Sequence, residues 1–132
     1  MATRFQRESS SEFAITSASS ESVSMGALVY SSSVQVSHNQ APLAWPVKSF
    51  AELTSTAIAQ AVSPGIEIVL IGTGRTLRFP QPDVLRPLME ARIGYEVMST
   101  DAACRTYNLL LSEGRAVVAL LLLEGGASSD RH

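Results

Sequence analysis

The chain has 132 residues, of which 45% are apolar and 17% charged, and its net charge is −2. That size fits one domain able to bury a hydrophobic core; the composition excludes a disordered chain and argues against a nucleic-acid binder, which would carry a basic face. Cys104 is the only cysteine, so no intrachain disulfide can form and a reducing, cytoplasmic setting is expected.

Residues 1–11 are polar and are expected to form a disordered arm. They hold no continuous apolar stretch of the secretory kind, and Glu8 and Glu12 interrupt what Arg4, Arg7 and the serines share with a mitochondrial presequence. Residues 12–124 are expected to form a single domain, and 125–132, GGASSDRH, a disordered tail. The longest apolar run, Ala116 to Leu123, falls far short of the ~20 residues of a spanning helix, so no membrane insertion is expected.

The first half reads as strands. Phe13-Ala-Ile alternates, as do Val23 with Met25, Leu28 with Tyr30, and Val34 with Val36. Period two with serines on one face predicts half-buried antiparallel strands, with a turn at Gly26. A helix should follow from Ser49, because Ser49-Phe-Ala-Glu52 has capping-box spacing and Phe50, Leu53, Ala57, Ile58 and Ala61 share one face. Ser63-Pro64-Gly65 should end it.

The second half reads as β-α-β-α-β. Ile66 to Ile71 is apolar almost throughout, as in a parallel strand covered on both faces. Gly72-Thr-Gly74 then makes a turn, and Thr76 to Phe79 is read as a short strand. A helix is expected from Asp83 to Arg92, starting late or bending at Pro87. Gly94 to Met98 is a strand. Ser99 or Thr100 caps a helix over Asp101 to Glu113, Gly114 ends it, and Val117 to Leu123 is a final buried strand. The expected fold is a mixed α/β domain with N-terminal antiparallel strands, a parallel half and about three helices.

Two features carry possible chemistry. In IVLIGTGRTLRF (Ile68 to Phe79), Gly72 and Gly74 fit the start of a dinucleotide loop, but Leu77 stands where the third glycine belongs and no helix begins there. No Walker sequence is present. What survives is a glycine turn whose N–H groups, with Arg75 and Arg78, form an anion nest or merely a tight turn beside two solvated arginines. On the last helix Ala103, Tyr107, Leu110 and Leu111 form the buried stripe, and Asp101, Arg105, Asn108 and Ser112 the polar side. Cys104 lies at the border, either as a core-edge residue or as a thiol activated by the helix start and Arg105. Leu109 falls on the polar side, where a partner or a homodimer would use it. Trp45, in a Pro-flanked loop, either closes the core or marks a partner surface. His38 and His132 are scattered, so no metal site and no catalytic set is assigned, and no cofactor is expected.

The pieces Trp45-Pro46, Ile68 to Gly74, Arg78-Phe-Pro80, Gly94 to Met98 and Thr100 to Asn108 together resemble the domain-of-unknown-function 498/598 family, to which a mitochondrial complex I assembly factor belongs. The resemblance implies a three-layer β/β/α fold and no established enzyme activity for bacterial-type members. It transfers no catalytic residues. The function expected is therefore that of a non-enzymatic protein-binding or assembly factor. The alternative is a small anionic ligand, bound or turned over in a cleft between the Gly72–Arg75 loop and the Asp101–Asn108 helix, since α/β sheets bind ligands beyond the carboxyl ends of parallel strands.

Overall fold

The computed structural model describes residues 12–124. The predicted arm 1–11 and tail 125–132 lie outside the described residues. The strands are β1 (Ser17–Ala18), β2 (Val23–Met25), β3 (Leu28–Tyr30), β4 (Val34–Ser37), β5 (Gln40–Ala44), β6 (Ile68–Gly72), β7 (Gly94–Met98) and β8 (Val117–Leu121). The helices are α1 (Ser55–Ala59), α2 (Arg86–Glu90) and α3 (Thr100–Ser112).

Strands β1-β2-β3 form a small antiparallel sheet. The larger sheet has the order β5-β4-β8-β6-β7, with β8-β6-β7 parallel and β4 antiparallel to both of its neighbours. The alternation of apolar residues sorts side chains to two cores. Val34, Val36, Leu70, Val117, Ala119 and Leu121 face a cluster with Val23 and Met25 of the small sheet and Ala103, Cys104, Tyr107 and Leu111 of α3. Val69, Ile71, Val118 and Leu120 face Ile58, Leu85 and Leu88 of the short helical segments. The large sheet is thus the middle of three layers, the small sheet and α3 share one side, and α1 and α2 cover the other. Both faces of β6 and β8 are buried, which is why their sequences run apolar without alternation.

Several local expectations shift. Phe13–Ile15 is not a strand; β1 begins at Ser17, and Asn108 rather than a neighbouring strand takes Ile15's polar groups. Ser49 makes no side-chain cap. A 3-10 turn at Phe50–Glu52 intervenes, Thr54 caps α1 by accepting from the Ala57 N–H, and Glu52 accepts from the Lys48 N–H instead. The capping-box spacing was present, but the hydrophobic face suited two short segments better than one helix. Strand β5 was not predicted: it is an edge strand, mostly exposed, with Pro42 inside it, and lacks an alternating pattern. Thr76 to Phe79 forms no strand, because Thr73 folds the chain back through its hydroxyl, which donates to Thr76 O and accepts from Arg78 N–H. Pro82–Leu85 is a 3-10 turn leading into α2, so the helix with Pro87 starts late. Trp45 closes the core: it is 3% exposed and its indole N–H donates to Ala57 O at 3.0 Å.

Candidate functional site

The chain leaves β6 toward the α2 side of the sheet and leaves β7 toward the α3 side, so the carboxyl ends of these two strands mark a topological switch point, where open α/β sheets bind ligands. Here the two ends are bonded together. Thr73 N–H donates to Met98 O (2.8 Å), Gly74 N–H to Thr100 Oγ1 (2.8 Å), and Thr100 N–H to Gly74 O (2.9 Å). The buried Thr100 hydroxyl in turn donates to Leu122 O at 2.7 Å, which ties in the end of β8. Gly72 permits this closeness: a Cβ there would stand 2.9 Å from Thr100 Cα. The start of α3 is filled as well, with Ser99 accepting from the Ala102 N–H.

The Gly74 turn faces Glu124. Gly74 has φ of +97°, and a Cβ on it would collide with the Glu124 carboxylate. That carboxylate accepts from the Arg75 N–H (3.2 Å) through one oxygen and from Arg78 Nη2 (2.9 Å) through the other. The Arg78 guanidinium also lies 4.9 Å from the centre of the Phe50 ring, a cation–π distance. The Arg75 side chain reaches Glu21 at 3.4 Å. The two arginines read as solvated or anion-seeking are thus both paired with carboxylates of the same chain.

Four of the five helix residues singled out in the sequence meet elsewhere. Asp101, Cys104, Arg105 and Asn108 line a groove of about 190 Å³ whose other wall is Ile15–Ala18. Gly72, Gly74, Arg75 and Arg78 do not line it. Asp101 and Arg105, both assigned to the polar side, form an i,i+4 ion pair on the exposed rim. Cys104 is 3% exposed and belongs to the core shared with Tyr107 and Val23. Burial pushes its thiol up to about 12; Asp101 adds to that, and the opposing influence of Arg105 is smaller. The Tyr107 phenol, raised by burial, has Phe13 O and Ser37 O at 2.7 and 2.9 Å, which share its single O–H. Leu109 is 57% exposed, as its place on the wheel implies.

Two features escaped the sequence. Glu124 fills the glycine turn, yet an acid that ends an apolar run carries no local signal of its partner. Leu77 and Phe79 stand 49% and 71% exposed beside that turn, because the chain there is a loop and not the strand whose alternation would have buried them. Among the described residues no three His, Cys, Asp or Glu side chains gather as a metal-ligand set, and no helix is long and apolar enough to cross a membrane.

The chain is similar to several known proteins. The NADH dehydrogenase (ubiquinone) 1 alpha subcomplex assembly factor 3 of Bos taurus is 37% identical over 92 residues, 68% of this chain and 50% of that protein. A protein of Francisella tularensis named 13 kDa major membrane protein is 38% identical over 56 residues, 42% of this chain and 46% of that one. The chain spans about half the length of the curated relatives it matches. Among solved structures, a Bordetella pertussis protein described as an Mth938-like domain superposes with a TM-score of 0.76 at 26% identity, over 92% of this chain and 94% of that one. The family described as protein of unknown function, DUF498/DUF598, matches residues 15–122. The chain belongs to that family.

Proposed function

We propose that the chain is a non-enzymatic protein-binding factor with an assembly role, acting in the cytoplasm. The observation that carries this is the exposed apolar pair Leu77 and Phe79, with Leu109 as a third isolated anchor on α3. A monomer gains nothing from a phenylalanine 71% exposed, whereas a partner that covers it gains about 1.5–3 kcal/mol. The likeness to the bovine assembly factor supports the same reading. Either a different protein or a second copy of this chain suits such anchors.

The second reading, a small anionic ligand held between the Gly72–Arg75 loop and α3, has less support. Gly74 and Thr100 bond across that seam, and Asp101 offsets Arg105 in the neighbouring groove.

Affinity purification of the tagged chain from its native cells, with Phe79→Ser and Leu109→Glu in parallel, tests the proposal. A stoichiometric partner retained by the wild type and lost with either folded variant is expected; sedimentation equilibrium separates a second copy from another protein. No partner, or capture indifferent to both substitutions, would overturn it. Cell fractionation belongs to the same experiment, because the Francisella relative is named a membrane protein.

A further inference from the structure

The Gly74 turn is built to receive a carboxylate. It offers one backbone N–H (Arg75) and one guanidinium (Arg78), each to a separate oxygen, and the missing Cβ of Gly74 makes the room. A planar, two-oxygen acceptor matches that geometry, and charge-assisted bonds of this kind are the stronger class. The present occupant is Glu124, the residue three beyond the end of β8, and its side chain is 22% exposed while that of Arg78 is 43% exposed. The seat is therefore reachable from solvent. Arg78 has partners besides Glu124: the Phe50 ring at 4.9 Å from its guanidinium and Thr73 O at 3.4 Å.

We propose that this turn is a carboxylate-binding site latched in cis by Glu124, and that an acidic side chain of a partner protein takes the same seat. Leu77 and Phe79, both exposed, flank Arg78 in the chain and offer apolar surface to the residues around that acid. The proposal rests on the protein-binding reading only for the source of the carboxylate; the site itself stands on the geometry of the turn. Tethering gives Glu124 a high effective concentration, so a free carboxylate competes poorly until the latch is removed.

The test is an acetate titration followed by the backbone amide resonances of Gly74 and Arg75, in the wild type and in Glu124→Ala, with sodium chloride at matched ionic strength as control. Saturable shifts in Glu124→Ala, with a midpoint at least about tenfold lower than in the wild type, are expected. Arg78→Leu added to Glu124→Ala should abolish them. Three results would overturn the proposal: shifts in Glu124→Ala no larger than those with chloride, equal midpoints in both proteins, or tighter saturation by inorganic phosphate than by acetate. If Glu124→Ala does not fold, Glu124→Gln removes the charge while keeping an acceptor for the Arg75 N–H, and the same midpoints are compared. Acetate binding reads the site alone and partner capture reads the assembly role, so either can fail without the other.

Discussion

Asn108 holds Ile15 by both of its backbone polar groups: its Oδ1 accepts from the Ile15 N–H at 2.9 Å, and its Nδ2 donates to Ile15 O at 2.8 Å. One side chain on α3 thereby does what a neighbouring strand would do. This explains how the alternating Phe13–Ile15 stretch is held against α3 without belonging to a sheet.

The amide is required on both counts. Asn108→Ala removes two hydrogen bonds from a half-buried segment and should cost about 2 kcal/mol. Asn108→Asp keeps an acceptor for the Ile15 N–H but sets a carboxylate oxygen against Ile15 O, so at neutral pH it should cost at least as much. Protonating that carboxyl restores a donor, and the gap between the two variants should shift in favour of Asp as the pH falls. Urea unfolding followed by Trp45, the single tryptophan, measures both. Equal stability of wild type and Asn108→Ala would show that the segment is held by other contacts.

Gly72 should be hard to replace, although its backbone has no positive φ. An added methyl meets Thr100 Cα at 2.9 Å and Ala103 Cβ at 3.3 Å, atoms of a helix start that the Gly74–Thr100 bonds fix in place. Gly72→Ala should destabilise by about 1–3 kcal/mol through overpacking. Gly94→Ala, on the edge strand, meets nothing nearer than Glu67 O at 3.4 Å and should be close to neutral. Thermal unfolding of the two variants side by side decides the matter, and a Gly72→Ala protein as stable as Gly94→Ala would mean that α3 can shift.

The regular elements were legible because each obeys a period. Gly94–Met98 and the long helix emerge within a residue of their predicted ends, since caps at Ser99 and Gly114 bracket an unbroken wheel. The site was half legible. Gly74 and Arg75 announced a turn with backbone donors, but the groups that answer them, Thr100 for Gly74 and Glu124 for Arg75, are set by sheet order rather than by local sequence. The groove between Ile15–Ala18 and α3 was illegible for the same reason: its walls lie roughly ninety residues apart, joined by the Asn108 amide and by the packing of Ile15 against the helix. Cys104 moved from the border of the wheel into the core because the small sheet covers that border.

Glu67 gives an acid-side prediction. Its exposed carboxylate accepts from the Ala116 N–H at 3.0 Å and from Arg115 Nε at 2.9 Å, and these, the backbone bond first, hold it below its usual value of 4.5. A carboxyl lowered in the fold contributes stability above its unfolded value and loses it as the pH drops through the folded one. The stability difference between wild type and Glu67→Gln should accordingly be constant above about pH 5 and shrink below 4.5. A pH-independent difference across that window would detach the effect from ionisation.

Cys104 gives the alkaline counterpart. Its thiol is raised from 9.0 to about 12 by burial, so the fold favours the neutral form. The contribution is whole below pH 9 and declines as the pH climbs toward 12, because the unfolded chain ionises its thiol and the folded one does not. Tyr107, also raised by burial, adds a decline of the same sign from 10.0 upward. Cys104→Ala should remove the part that begins at 9 and leave the part that begins at 10, which a pH series of melting temperatures separates. At pH 8 the same burial should make the folded wild type react with an aromatic disulfide reagent only as fast as the core opens, and stoichiometrically in urea. A fast, denaturant-independent reaction would place the thiol at the groove surface and restore Cys104 as a candidate nucleophile there.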